Sequence, residues 1–450
     1  MPAVGISGIN DGPSLITDQV SPWDIGDFVT LASALLKVEH LFFHLFAGID
    51  GASTALDHLG SRDDPRVLHL WFEVDPFCQS FLRRRASPCH RLVTIKDRQE
   101  LSSSVFSLVQ FSDRFIQAVK SASQLRSVTC IAGSPCVGFS MANPRGRGID
   151  DPESEKMWVL LVWVSRLRVA VPCIHHLMIL ENVVPRQAQS KRDISSALHM
   201  EPILTEARLV SPCRRARYIW SNLDLSDLSF WRISWQDCVD PEWVPASVFM
   251  AAESPVGENP IFGTFLRPFP PGRPSEYPAS FHRLPLSSYD ESGLVVLRGI
   301  KEEDSALLRA SLQEVRSSSG DPRDSKSSSF RARRDLCEWI HLRGAINFVR
   351  PLSAAERFRS LGFPADGVPG HESSIQTQLP FLMASGNTFS VPIFVGLLRP
   401  LHHMLQSGSV PPHSRIEFFY DDRASALRAL GSSGSSNSRH QRHPPTLVER

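Results

Sequence analysis

Residues 131 to 140 read IAGSPCVGFS: an apolar run, then Gly133-Ser134, then Pro135-Cys136. A cysteine held by a proline just past a buried strand is placed to act as a nucleophile. The reactive form is the thiolate, so such a cysteine needs cationic or hydrogen-bonding neighbours. Pro-Cys also occurs at Cys89, Cys173 and Cys213, and the dipeptide alone therefore means little. Further along, Glu181-Asn182-Val183 follows the apolar stretch LMIL, at a strand end where a carboxylate is costly to bury without a task. A helix cap or an ion pair with arginine is the plainer alternative. Arg215 and Arg217, in SPCRRARYIWSN, alternate on a predicted strand and face one side. Such a pair can bind phosphate, or hold a carboxylate and a substrate oxygen, although a solvated strand face is the default.

A second group of residues suits a nucleotide-like ligand. In HLFAGIDGASTAL, glycines between a buried strand and a helix let the backbone approach a cofactor, and Glu73, closing the next strand, can accept hydrogen bonds from ribose hydroxyls. Asp97, after the apolar LVTI, offers a third polar group at a strand end. Glycine turns in α/β proteins are commonly structural, so the two readings of this loop stand about level.

The elements that must position these groups follow from periodicity. Buried strands are predicted at 41–46, 67–72, 128–132, 178–180 and 217–220, with helices at 25–37, 52–59, 105–121, 157–169, 354–361 and 390–401. Residues 1–38 form a polar lead-in. Residues 223–345 are rich in Pro, Ser and Trp and read as irregular inserted material, and 424–450 as a disordered tail. The 48 Lys and Arg nearly cancel the 47 Asp and Glu, which excludes a histone-like or acidic disordered protein and makes any nucleic-acid surface local. Such a surplus exists at 316–350, with eight basic against four acidic residues; a solubilising Ser/Arg loop explains 316–326 about equally well. The eight cysteines lack a framework-like spacing, and no apolar run is long enough to span a bilayer, so reduced thiols in a soluble protein are expected.

Taken in order, these blocks resemble the DNA (cytosine-5)-methyltransferase family. FAGIDG resembles its first motif, FEVD its second, the Asp97 region its third, GSPCVGFS its Pro-Cys motif, ENV its glutamate motif and RRARYIW its arginine motif. RPLSAAERFRSLGFP and SGNTFSVPIF resemble the ninth and tenth. The ENV to RARY region is most similar to the eukaryotic de novo class, whereas VGFS and Gly386-Asn387 are closer to the bacterial-like or maintenance pattern.

The resemblance implies an α/β, Rossmann-like class I S-adenosylmethionine-dependent methyltransferase fold, with a catalytic domain at 39–222 and 346–410 and a target-recognition region at 223–345. It implies methyl transfer from S-adenosylmethionine to carbon 5 of a cytosine flipped out of double-stranded DNA. Cys136 would attack carbon 6, Glu181 would bond ring nitrogen 3, and Arg217 with Arg215 would support the carbonyl oxygen. Phe46, Ala47, Gly48, Ile49, Asp50 and Gly51, then Glu73, Val74, Asp75 and Asp97, and finally Asn387, Thr388 and Phe389 would hold the cofactor. No metal is expected, and His175-His176 read as structural or exposed. A nuclear protein is implied, without a membrane, whose recruitment needs a protein partner or is absent. A tRNA methyltransferase of the same fold ranks second, since its usual Cys-Phe-Thr signature does not occur here, and a catalytically silent DNA-binding paralogue ranks third.

Overall fold

The computed structural model describes residues 24–25, 28–94, 115–140, 143, 146–226, 228–251, 262, 292–320, 326–342 and 345–431. The strands of its main sheet are β1 (Asp24–Ile25), β2 (His40–Leu45), β3 (Val67–Glu73), β4 (His90–Thr94), β5 (Ser127–Gly133), β6 (His175–Val183), β7 (Ile203–Glu206) and β8 (Ala216–Ser221). They lie in the order β1-β4-β3-β2-β5-β6-β8-β7. All pairings are parallel except those of β8 with β6 and β7. This is an open, mostly parallel, Rossmann-like α/β sheet.

Burial explains why these segments are strands. β2 reads HLFFHL and is covered on both faces, as a central parallel strand must be. Leu41, Phe43 and Leu45 enter one core while Phe42 enters the other. Helices α1 (Phe28–Leu35) and α4 (Met157–Ala170) cover the first face, and α2 (Gly51–His58), α9 (Ala354–Ser360) and α11 (Val391–Ser407) the second. Between α2 and α4 lies α3 (Pro76–Arg85); α5 (Ala188–Leu198) follows β6, and α10 (Ile375–Gly386) precedes α11. The strand order reverses between β2 and β5, and at such a switch point the crevice outside the carboxyl ends of the strands is where an open α/β sheet binds its ligand.

Two expectations need correction. The inserted region is not irregular throughout: strands β9 (Trp243–Pro245), β10 (Leu294–Leu297) and β11 (Val349–Pro351) form an antiparallel sheet, joined by helices α6 (Ala246–Met250), α7 (Glu302–Ser317) and α8 (Ser328–Leu342). Leu308, Leu312 and Val315 recur at helical spacing on α7 and pack with Phe330, Leu336 and Ile340 of α8 in a separate small core, a periodicity hidden by the Ser/Arg-rich composition. The second correction concerns the tail. Residues 423–431 form helix α12 (Arg423–Gly431), because Ala426 and Leu430, four apart, bury themselves against the α4 side of the sheet.

A buried ionic network joins the small lobe of β9, β10 and β11 to the sheet domain. Arg350 makes two hydrogen bonds to Glu356, at 2.7 and 3.0 Å, and lies over the Trp243 ring. Glu356 is fully buried and also completes a capping box with Ser353 at the start of α9. Asp240 holds Arg359 at 2.5 Å and His371 at 3.0 Å. Arg350, counted above in the basic surplus, is thus a structural residue and unavailable to phosphate.

Candidate functional site

Parallel strands bring their carboxyl ends to one edge, and the candidate residues gather there. Gly133, the last residue of β5, is in register with Glu181 on β6, and Val183 pairs with Arg217 on β8. The guanidinium Nε of Arg217 lies 2.6 Å from Glu181 Oε1. Cys136 is partly exposed just beyond β5. Burial pushes its thiol up, while Arg217 and, less strongly, Arg215 pull it back towards ionisation; Glu181 opposes them. Cys238, by contrast, is pushed up to about 12 by burial, and Cys213 to about 11 while it contacts the Ser211 hydroxyl. Arg215 and Arg217 act on both Cys136 and Cys213, but Cys213 is buried and Cys136 is partly exposed.

The loop carrying Cys136 is fixed by local bonds. Phe139 and Ser140 both donate their N–H to the Cys136 carbonyl, at 3.0 and 2.9 Å. Asn182 donates to the Ser134 hydroxyl at 2.7 Å and accepts from the Val183 N–H, so the ENV segment clamps the residue two before the cysteine. Gly138, in the VGFS stretch, is required by packing: a Cβ there would lie 2.2 Å from that of Asp151 and 2.4 Å from the Ser154 hydroxyl. The Asn182–Ser134 clamp was missed from sequence, although the adjacency of Asn182 to Glu181 offered a signal.

The glycine loop after β2 forms the neighbouring half. Phe46, Gly48 and Asp50 all have positive φ, which glycine accepts readily and aspartate more readily than most residues. Ala47 and Ile49 turn their side chains into the cores and offer only backbone to a ligand, while Phe46 stays partly exposed. The Asp50 side chain is likewise turned away. It caps α2 through the Ser53 N–H at 2.9 Å, accepts from the Trp71 indole N–H at 2.5 Å and lies 3.4 Å from His44 Nδ1. Burial alone would raise this carboxyl, but His44, the Ser53 bonds and His69 hold it below the usual carboxylate range. Burial keeps His44 and His69 below the usual imidazole range.

Glu73 closes β3 beneath this loop. Its oxygens accept the N–H of Gly48 at 2.6 Å, of Val74 at 2.7 Å and of Asp75 at 2.8 Å. A carboxylate has about four lone-pair directions, leaving one for a ligand hydroxyl. Burial raises its carboxyl, and these three donors offset part of the rise. Asp75 caps α3 through the N–H of Phe77 and of Cys78. Asp97 lies outside the described residues.

The far end of the chain returns to the same edge. The Asn387 carbonyl comes within 3.7 Å of the position a Cβ on Gly48 would take. Phe389 lies against Gly51 through its Cβ and against Gly133 through its ring, at distances no Cβ on either glycine would permit, and its ring stacks on Phe394 at 4.2 Å. Arg215, almost fully buried, donates to the Thr388 carbonyl and so ties the arginine segment to this strand of chain. Three buried polar atoms here lack a hydrogen-bond partner in the protein: Arg215 Nε, Thr388 Oγ1 and Ser390 Oγ. Unpaired buried polar atoms are costly and rare, so their clustering suits a polar ligand. Together with the glycine cradle, these donors and acceptors fit S-adenosylmethionine. Among the described residues no group of His, Cys, Asp and Glu could hold a metal ion.

No protein-family model matches the sequence. Solved structures similar to this chain include a mutant of Spodoptera frugiperda DNMT2, at 15% identity over 80% of this chain and 98% of that one, with a TM-score of 0.44. The Entamoeba histolytica methyltransferase EhMeth aligns at 12% identity over 82% and 99%, with a TM-score of 0.42. The S. pombe Dnmt2 methyltransferase aligns at 15% identity over 80% and 98%, with a TM-score of 0.35.

Proposed function

We propose that this chain is an S-adenosylmethionine-dependent cytosine-5 methyltransferase acting on double-stranded DNA, of the de novo type. The observation that carries the reading is the meeting of Cys136, Glu181, Arg215 and Arg217 at the switch-point edge, beside the glycine loop and the returning 387–389 segment. S-adenosylmethionine, when bound, supplies an electrophilic methyl group on a sulfonium.

The protein's part starts with a base taken out of the stack, since carbon 5 is not reachable within a duplex. The Cys136 thiolate forms a bond to carbon 6, and the ring's electron pair moves towards nitrogen 3 and the carbonyl oxygen. Glu181 shares a proton with nitrogen 3 as charge builds there, and the Arg217 guanidinium faces the carbonyl oxygen. Preorganised groups of this kind stabilise charge only as it develops. Methyl transfer to carbon 5 would break the sulfonium S–C bond and leave the cofactor as its neutral thioether; loss of the carbon 5 proton to a base would then re-form the ring double bond and expel the Cys136 thiolate. Gly48, Gly51 and Gly133 keep the crevice open to a ligand; Glu73 would meet its ribose, and Thr388 and Ser390 its polar groups. By the same reading the protein works in the nucleus and reaches its target through a recruiting partner.

The test incubates the protein with labelled S-adenosylmethionine and, separately, unmethylated duplex, hemimethylated duplex and tRNA. Label in the unmethylated duplex, lost in Cys136→Ala, is the expected result. Label in tRNA alone would replace the DNA substrate with RNA, a preference for hemimethylated DNA would remove the de novo assignment, and label in none would leave a silent binding protein.

A further inference from the structure

The opposite edge of the sheet, where β5 and β6 begin, carries a second concentration of charge. A cavity of about 320 Å³ opens there between the end of α4, the start of β6 and the segment 413–416. Arg168, His175, His176, His413 and Arg415 line its polar side, and Val169, Pro172, Ile174 and Ile416 its apolar side. None of the lining residues is acidic. The imidazoles of His175 and His413 lie 3.4 Å apart, nitrogen to nitrogen, and their rings meet edge to face. Arg168 is anchored by donating to the Ile416 carbonyl, and His413 is oriented by the Pro411 carbonyl at 2.8 Å. His176 is held by the Val171 carbonyl at 3.0 Å. Arg126, beside His175, pairs with Glu39 at 3.3 Å and donates to the Gly408 carbonyl. Arg415 makes no ion pair among the described residues.

Two guanidinium groups, Arg168 and Arg415, face this concavity and repel one another. Burial lowers both His175 and Arg168; His413 and Arg126 add to the first and Arg415 to the second, and of these Arg126 alone has a carboxylate partner, Glu39, among the described residues. An uncompensated set of this kind is relieved by a multiply charged anion, and the planar guanidinium fork with imidazole N–H donors matches phosphate oxygens. The apolar wall gives the remainder of an organic ligand something to lie on. His175-His176, left without a role by the methyl-transfer chemistry, sits at the centre of this arrangement.

We infer that this cleft binds a small phosphate ester, its phosphate held by Arg168, Arg415, His175 and His413 and its organic part packed on Pro172 and Ile416. The site is separate from the Cys136 edge and does not depend on methyl transfer.

Calorimetric titration of the full chain with ribose 5-phosphate, inorganic phosphate, ribose and a short duplex oligonucleotide tests it. Ribose 5-phosphate should bind saturably and more tightly than inorganic phosphate, ribose should not bind, and saturating S-adenosylhomocysteine should not displace the phosphate. Arg415→Glu and His175→Gln, both at exposed positions, should each weaken ribose 5-phosphate at least tenfold with an unchanged melting temperature. Absence of saturable binding, or equal affinity in wild type and both variants, overturns the site. If only the oligonucleotide binds and the variants weaken it, the small-ligand assignment is overturned in favour of a backbone phosphate.

Discussion

The two halves of the crevice at the switch point differ in how their polar atoms are used. Around the glycine loop, Asp50 and Glu73 are engaged by protein donors: the N–H groups of Ser53, Gly48, Val74 and Asp75 and the Trp71 indole. Around Cys136, Glu181 is paired with Arg217, while Arg215 Nε, Thr388 Oγ1 and Ser390 Oγ are buried without partners. The first half is built to keep a backbone shape, with two of its three left-handed residues not glycine. The second half retains polar capacity that only a bound molecule can satisfy. Preorganisation and reactivity are thus assigned to adjacent strand ends, and perturbing each should give a different signature.

The largest effect belongs to the reactive half. Cys136→Ser should reduce methyl transfer by roughly 10⁴-fold or more, with cofactor binding retained in equilibrium titration, since removing a nucleophile leaves only binding and electrostatics. Glu181→Gln should lower kcat by about 10² to 10³, the range for a group that acts as charge develops, with the cofactor KM little changed. The loop half should answer in the opposite sense. Asp50→Ala removes a helix cap and strands the Trp71 indole N–H in the core, costing on the order of 2–4 kcal/mol in denaturant unfolding. Its cofactor KM should rise, because a left-handed residue at position 50 then has no side-chain bonds to hold it.

The buried histidines give a smaller effect at mildly acid pH. Burial holds His40 at about 4 and His90 at about 2, while the unfolded chain titrates near the usual value. Below about pH 6.5 the unfolded state binds protons that the folded state refuses, so stability falls as pH drops. By pH 4 His40 alone accounts for a loss on the order of 3 kcal/mol, which denaturant midpoints between pH 7 and 4 would register. The smallest predicted change concerns ionisation of the nucleophile. Burial raises the Cys136 thiol and Arg217 lowers it, so in Arg217→Gln the rise of kcat with pH should move to more alkaline values.

Much of the sheet was legible because its strands are apolar on both faces. Segments 41–46, 128–132 and 217–220 became β2, β5 and β8 within a residue or two. β6 proved longer than 178–180 because His175 and His176, polar by type, extend its pairing with Ser127 and Val128. The small lobe was not legible as a folded unit, since the apolar positions of α7 and α8 are diluted by serine and arginine, and Arg350 is basic by sequence but buried by pairing with Glu356. In the site, the convergence of Glu181 with Arg217 follows from their places at strand ends. The inward turn of Asp50 does not: it depends on His44 and Trp71, contributed by β2 and β3, which no spacing rule connects.

The central claim is a covalent bond between Cys136 and carbon 6 of a cytosine. Its most direct test is intact-mass analysis of the protein incubated with S-adenosylmethionine and a duplex bearing 5-fluorocytosine, since fluorine at carbon 5 cannot leave as a proton does and the adduct persists. The account predicts a complex heavier by the modified strand plus one methyl group, mapped to the Cys136 peptide and absent from Cys136→Ala. Methyl transfer to an unmodified duplex with no adduct on the fluorinated one, or an adduct that survives in Cys136→Ala, would contradict it.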